Sequence, residues 1–200
     1  MTPTLDHIAA IVLAAGSSTR MGGPNKLLLE HQGKALVRHA AEAACQSGAS
    51  PVVVVTGHQA DMVEAALAGL DVQVVRNPNF AQGLSTSLKA GVTALPDSAD
   101  GVVVALGDMP LVDYRLIRRM AAAFDAAPGC LAAVPLHEGE WHNPVVIARA
   151  LFPAIEDLTG DAGAKKLLEK HRDQVIEVPV SDDAVALDVD TPEALARLGE

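Results

Sequence analysis

Ile8-Ala9-Ala10-Ile11-Val12-Leu13 runs without a polar residue into Ala14-Ala15-Gly16-Ser17-Ser18-Thr19-Arg20-Met21-Gly22-Gly23-Pro24-Asn25-Lys26. A short, continuously apolar run suits a strand buried on both faces, and the switch to small and polar residues marks where it ends. Runs of the same kind recur at 52–55, 72–75, 102–106 and 131–134, with stretches of helical period at 34–46, 60–68, 85–94 and 114–126 between them. Such alternation predicts βαβ units. The fold class is therefore α/β: a single Rossmann-like domain over 1–200, its mostly parallel sheet flanked by helices on both faces. Further on, the pattern predicts a strand at 144–147, helices at 149–157 and 162–171, and strands at 175–178 and 184–189. Thr191-Pro192-Glu193 opens a last helix with a cap, a proline and an acid in the first turn.

Two hundred residues suit one domain, and a composition half hydrophobic supplies its core. With only five aromatic residues, that core must be Ala, Val and Leu packed closely. The net charge of −10 argues against a general nucleic-acid or anionic-membrane binder, both of which want positive fields. No apolar run approaches the twenty residues of a spanning helix, and the apolar fraction excludes disorder. Met1 to His7 lacks the basic patch, apolar stretch and cleavage site of a signal peptide. Cys45 and Cys130 show no C-x-x-C spacing and read as two reduced thiols in a cytoplasmic protein, with a disulfide between them as the alternative.

In an open α/β sheet, ligands bind outside the carboxyl ends of the strands. Three informative loops fall there, at 14–26, 80–87 and 107–110. In the first, small residues let backbone N–H groups approach a phosphate without Cβ interference. Ser17 and Ser18 add hydroxyls, and Arg20 and Lys26 add fixed positive charge. The dinucleotide pattern G-x-G-x-x-G fails because Ser18 follows Gly16-Ser17. The Walker pattern fails at Gly33-Lys34, where Ala35 replaces Ser or Thr and position 28 is Leu. Asp108 stands at the rim of the 102–106 strand, where a carboxylate suits Mg²⁺; a helix cap before Pro110 is the structural alternative. Ser85 could likewise simply cap the helix it precedes. From His171 onward there are eight acids and two Arg, with Asp188 and Asp190 at a strand's end.

The first loop resembles the L-A-x-G-x-x-x-R-M-G-x-x-K signature of nucleotidyltransferases, and most nearly the molybdenum cofactor cytidylyltransferases and their guanylyltransferase relatives. The resemblance extends over nearly the whole chain, through Thr56-Gly57-His58, the 79–87 loop, Gly107-Asp108-Met109-Pro110, Asn143-Pro144-Val145, Gly160-Asp161-Ala162-Gly163-Ala164 and Asp188-Val189-Asp190-Thr191-Pro192.

It implies a nucleotidyltransferase domain that moves CMP from CTP onto the phosphate of the molybdenum cofactor and releases pyrophosphate. It further implies that Leu13, Ala14, Ala15, Gly16, Ser17, Ser18, Arg20 and Lys26 surround the triphosphate, Lys26 stabilising charge at the α-phosphate, while Gly83 and Ser85 contact the nucleotide. Asp108 and Asp188 would hold Mg²⁺, or Mn²⁺, with Asp190 the alternative to Asp188. His142, Asn143, Asp161, Gly163 and Lys165 would receive the acceptor, although the usual pattern carries Arg where Lys165 stands. His137, His142 and His171 lack metal-ligand spacing, and Trp141 suits covering apolar surface better than stacking on an acceptor. An apo-molybdoenzyme could receive the product; no nucleic acid or membrane partner is expected. The competing readings are a guanylyl or sugar-phosphate enzyme and a protein that only binds and delivers the cofactor.

Overall fold

A computed structural model describes residues 5, 7–17, 25–181, 183–187 and 189. Its elements are β1 (Ile8–Ala14), β2 (Glu30–His31), β3 (Lys34–Ala35), α1 (Leu36–Ser47), β4 (Val52–Thr56), α2 (Ala60–Ala66), β5 (Gln73–Arg76) and α3 (Leu84–Thr93). After these come β6 (Gly101–Leu106), α4 (Tyr114–Asp125), β7 (Ala132–His137), β8 (Glu140–Trp141), β9 (Val145–Ala148), α5 (Phe152–Ile155), α6 (Ala164–Leu168) and β10 (Val175–Pro179).

The main sheet runs β10-β7-β9-β6-β1-β4-β5, with β8 paired to β7. β1 lies parallel to β4 and β6, β4 to β5, and β7 to β10, whereas β9 is antiparallel to both neighbours. All seven residues of β1 are buried, as its unbroken apolar run requires. From β1 the chain moves outward through β4 and β5, then returns to the other side of β1 as β6. The strand order therefore reverses between β1 and β6, and their connections diverge to open a crevice. Register places Leu13 beside Leu106, and Gly107 N donates to Leu13 O at 3.0 Å, so both strands end at the same level.

Alternating residues of the central strands feed two cores. Ile8, Ala10, Val12, Val54 and Val103 pack with Val37, Ala41, Ile117 and Met120 from α1 and α4. Ala9, Ile11, Val53, Val102 and Val104 pack on the other face with Leu88, Ile155 and Leu168 from α3, α5 and α6. Small residues make the layers close: a Cβ placed on Gly91 of α3 would stand 2.9 Å from Ile11 Cγ2. This is how a core poor in aromatic residues fills its space.

Several sequence expectations are corrected. The 72–75 run forms the edge strand β5, with three of its four residues exposed rather than buried on both faces. The helix expected from residue 34 starts at Leu36, because Lys34–Ala35 pairs with Glu30–His31 across a turn at Gln32 and Gly33, both at positive φ. The 149–157 helix is a 3-10 turn, Arg149–Leu151, followed by the four-residue α5. The 162–171 helix is the short α6 followed by a 3-10 stretch, Glu169–Gln174. The expected strand at 184–189 is instead a 3-10 turn, Asp183–Val185. There Ala186 N bonds back to Asp183 O at 2.9 Å, a local closure that competes with strand pairing, while Ala184 and Val185 stay buried. The helix expected after Thr191 lies outside the described residues. Cys45 and Cys130 are both free, and burial raises both thiol pKa values. Among the described residues, no helix is long and apolar enough to cross a membrane.

Candidate active site

At the end of β1 the burial changes abruptly: Ala15 is 4% exposed, while Gly16 and Ser17 face solvent. A Cβ on Gly16 would meet nothing within 4 Å, so the backbone here lies open to the crevice. The loop returns at Asn25, whose Oδ1 accepts from Leu27 N at 3.1 Å and starts a 3-10 turn, Lys26–Leu28. That turn aims Lys26 across the crevice, where its Nζ donates to Asp108 Oδ2. Both side chains are 13% exposed, so the ion pair is largely withdrawn from water. A pair so placed must keep its charges matched, because an uncompensated charge at this depth is costly.

Asp108 is not a helix cap. Asp113 fills that role for α4, accepting from Leu116 N at 2.9 Å. Asp108 O accepts from Val189 N at 3.0 Å, which ties the late acidic segment to the end of β6. The flanking candidates Asp188 and Asp190 lie outside the described residues, as do Ser18 and Arg20 of the first loop.

The opposite wall comes from residues 80–85. Gly83 has φ +110°, and a Cβ there would stand 2.8 Å from Asp161 N and closer still to the Gly160 carbonyl. Ser85 N donates to Gly160 O at 3.0 Å, and Gly163 leaves no room for a Cβ against Leu84 Cδ2, 2.9 Å away. The two glycine-bearing loops thus touch backbone to backbone. Ser85 is 1% exposed inside the first turn of α3, and the cap position is Gly83, so Ser85 does not cap that helix. Gly83→Ala is expected to part the two loops and to cost about 1–3 kcal/mol of stability, from positive-φ strain and collision together. Thermal unfolding beside the wild type checks this; an unchanged midpoint would show that the loops separate freely.

Between these walls opens a cleft of about 390 Å³, floored by Leu13, Leu84, Val104 and Leu106. Its rim brings together Asn143, Asp161, Gly163 and Lys165, four of the five expected acceptor residues, with Lys166 and Glu169. The fifth, His142, is not among the residues lining the cleft; its ring stands edge-on to His137, with centroids 5.9 Å apart. Burial first, and then the Lys165 and His137 charges, hold the His142 pKa below the ordinary imidazole value. At neutral pH it is an uncharged hydrogen-bonding group rather than a cation. Trp141 covers apolar surface: its Nε1 donates to Glu177 Oε1 at 2.7 Å, and the Arg172 guanidinium lies 4.6 Å over its ring. Gly163, not Asp161, is the cap position of the five-residue α6.

Two residues with no assigned role in the sequence reading sit inside this construction. Asn25 is 3% exposed within the first loop, and Asn77 is 4% exposed, joining Thr86 Oγ1 and Ser87 Oγ at 2.8 and 3.0 Å to the end of β5. Their position just past a strand end or before a basic residue is the only signal they leave in the sequence.

Residues 10–175 match the family of the MobA-like NTP transferase domain. The chain belongs to that family. This NTP transferase is 33% identical over 206 residues to nicotine blue oxidoreductase of Paenarthrobacter nicotinovorans, covering 97% of each chain. It is 28% identical over 196 residues to molybdenum cofactor cytidylyltransferase of Escherichia coli (strain K12), covering 94% of each. It also matches bifunctional proteins GlmU, spanning only 35% of the length of the one from Sorangium cellulosum. Its fold superposes on Rv0371c from Mycobacterium tuberculosis H37Rv with a TM-score of 0.84 and 30% identity, covering 98% of each chain. Another structure of Rv0371c, complexed with manganese, superposes with a TM-score of 0.81. The NTP transferase is thus a nucleotidyltransferase in class, and its α/β architecture is the one shared by these relatives.

Proposed function

We propose that this nucleotidyltransferase moves CMP from CTP to the terminal phosphate of the molybdenum cofactor. The observation that carries the reading is the Lys26–Asp108 pair at the β1/β6 reversal, beside a cleft with an apolar floor and a polar rim. An oxygen of the acceptor phosphate attacks the α-phosphorus, the α–β P–O bond breaks, and pyrophosphate leaves. Leu13, Ala14, Ala15, Gly16, Ser17 and Ser18 supply the turn and donors around the triphosphate, and Arg20 holds its far end. Lys26 places a point charge on the α-phosphate as negative charge redistributes. Gly83 and Ser85 bound the nucleoside, while Asn143, Asp161, Gly163 and Lys165, backed by neutral His142, bound the acceptor.

A hard carboxylate oxygen beside a phosphate loop is the donor type that Mg²⁺ takes together with phosphate oxygens and water. Asp108 would hold such an ion, with Asp188 or Asp190 as the second carboxylate. The bound ion would withdraw charge from the triphosphate. The manganese complex of Rv0371c supports a divalent ion, with Mn²⁺ as the alternative to Mg²⁺. The reaction is placed in the cytoplasm, with an apo-molybdoenzyme as the receiver of the product.

Pyrophosphate release from each of the four NTPs, with and without molybdenum cofactor, tests the reading. Release from CTP only when the cofactor is present is expected. A preference for GTP would make it a guanylyltransferase. No release from any NTP would leave standing the second reading, an oxidoreductase, which the 33% identity to nicotine blue oxidoreductase favours.

Base choice is expected to rest partly on Ala15. Its methyl stands 2.9 Å from where a Cβ on Gly57 would be, and the same position meets Phe80 Cβ at 2.8 Å. Ala15→Gly lets this wall settle toward β1 and widens the space offered to a base. A methyl-sized change of this kind biases selection by about 1–3 kcal/mol. In CTP/GTP competition the wild type is expected to favour CTP, and the variant to admit more GTP without reversing the order. Identical ratios would remove Ala15 from specificity.

A further inference from the structure

Both ends of the first loop are fastened to a single residue, His58, one through its N–H and the other through its carbonyl. His58 N donates to Ala15 O at 3.2 Å, where the loop leaves β1, and His58 O accepts from Asn25 Nδ2 at 3.4 Å, where the loop returns. Asn25 Oδ1 meanwhile accepts from Leu27 N, inside the turn that carries Lys26. Only one orientation of the amide satisfies both contacts, since Leu27 N can only donate and His58 O can only accept. The side chain is 3% exposed, so neither contact is readily replaced by water. His58 itself has little freedom: a Cβ on the preceding Gly57 would fall within 3 Å of both Ala15 and Phe80, so that residue is pressed against the start of the loop and the opposite wall.

We infer that Asn25 is a positioning residue for nucleotidyl transfer, clasping the Lys26 turn to the carbonyl of His58, the residue whose N–H anchors Ala15. The inference rests on Lys26 acting at the triphosphate. One half of the Asn25 side chain shapes the turn and the other half ties it down, so the backbone that carries Lys26 is tied to the residue that also holds Ala15. Nucleotidyl transfer depends on the charge standing at the reacting phosphate as bonds change, and a misplacement of about 1 Å costs up to roughly 100-fold. Such a loss falls on the chemical step. Ground-state binding, spread over many donors, changes little.

Two substitutions separate a clasp from a plain turn cap. Asn25→Ala removes both contacts. Asn25→Asp keeps an oxygen for Leu27 N but turns an acceptor toward His58 O, so the cap survives and the clasp is lost. Gly57→Ala disturbs the same residue, His58, from its N-terminal side. All three variants are expected to lose roughly 10- to 100-fold in kcat, with the KM for the nucleotide changed less than about 3-fold. An Asn25→Asp enzyme with wild-type kcat would overturn the clasp and leave only a cap. So would kcat and KM moving together in every variant.

The kinetics use whichever NTP and acceptor the wild type turns over, so a GTP preference alters the proposed substrate without touching this inference. A second readout needs no turnover. Reductive ¹³C-methylation followed by NMR gives a Lys26 signal, assigned by its absence in Lys26→Arg. That signal is expected to shift in Asn25→Asp. An unchanged signal would overturn the clasp even in a protein that transfers nothing, the case in which the proposed function itself fails.

Discussion

Lys26→Ala is expected to lower kcat by roughly 10²–10³ while changing the nucleotide KM far less. The expectation follows from where the charge is held. The ammonium is 13% exposed, sits on a capped turn and is aimed at the carboxylate that ends β6, so it is placed before substrate arrives. Preorganised charge of this kind acts most where negative charge redistributes, and that is the α-phosphate in the transition state rather than the resting triphosphate. In the proposed function, backbone donors at Ala15 and Gly16 hold the ground state, and these remain in the variant. Steady-state kinetics and a direct nucleotide-binding measurement separate the two effects. Unchanged kcat with a raised KM would reassign Lys26 to ground-state binding. Lys26→Arg is a sharper version of the same test: it keeps the charge but spreads it over a rigid planar fork, so only partial recovery is expected.

The central strands were legible because they are buried on both faces, a demand that writes itself as an unbroken apolar run. Ile8–Ala14, Gly101–Leu106 and Val145–Ala148 answer to that pattern. The 72–75 run, interrupted by Gln73, forms an exposed edge, and an apolar pattern does not state how many neighbours a strand will find. Glu30–His31 and Lys34–Ala35 are two-residue strands, too short to carry any period, and a turn at positive φ rather than hydropathy defines them. At 184–189, the apolar run Ala184-Val185-Ala186-Leu187 imitated a strand, but burial of Ala184 and Val185 is achieved by a local turn. The site divides in the same way. Lys26 and Asp108 could be read because each follows a strand at the carboxyl edge, although 82 positions separate them. Gly83 and Gly160 were visible as glycines, whereas their backbone contact was not, since it depends on how two loops far apart in sequence meet. The bond from Asn25 to His58 O left no trace at all. A main-chain carbonyl accepts from any residue's donor, so its own sequence position carries no signature of the partner.

Asp108→Asn is expected to abolish divalent-metal-dependent transfer, by at least about 100-fold, while the protein remains folded. Asparagine keeps the shape of the side chain but removes its charge and half of its oxygen donors, and a hard divalent cation is sensitive to both. The substitution also acts on Lys26. The ammonium loses its carboxylate partner and can face an amide N–H₂ instead, which displaces it from the position the ion pair sets. Two consequences therefore arise from one atom change, and they can be told apart. Manganese affinity, followed by its effect on water proton relaxation in the presence of nucleotide, reports on the metal alone, and it is expected to weaken in Asp108→Asn but not in Lys26→Ala. Near-normal turnover at low Mg²⁺ would sink the metal assignment, and a variant that unfolds would make Asp108 a structural residue. Because the two side chains share one largely desolvated contact, their effects are coupled rather than independent. The double variant is accordingly expected to be no less stable than Lys26→Ala alone, since removing the second charge also removes the penalty of leaving it unpaired.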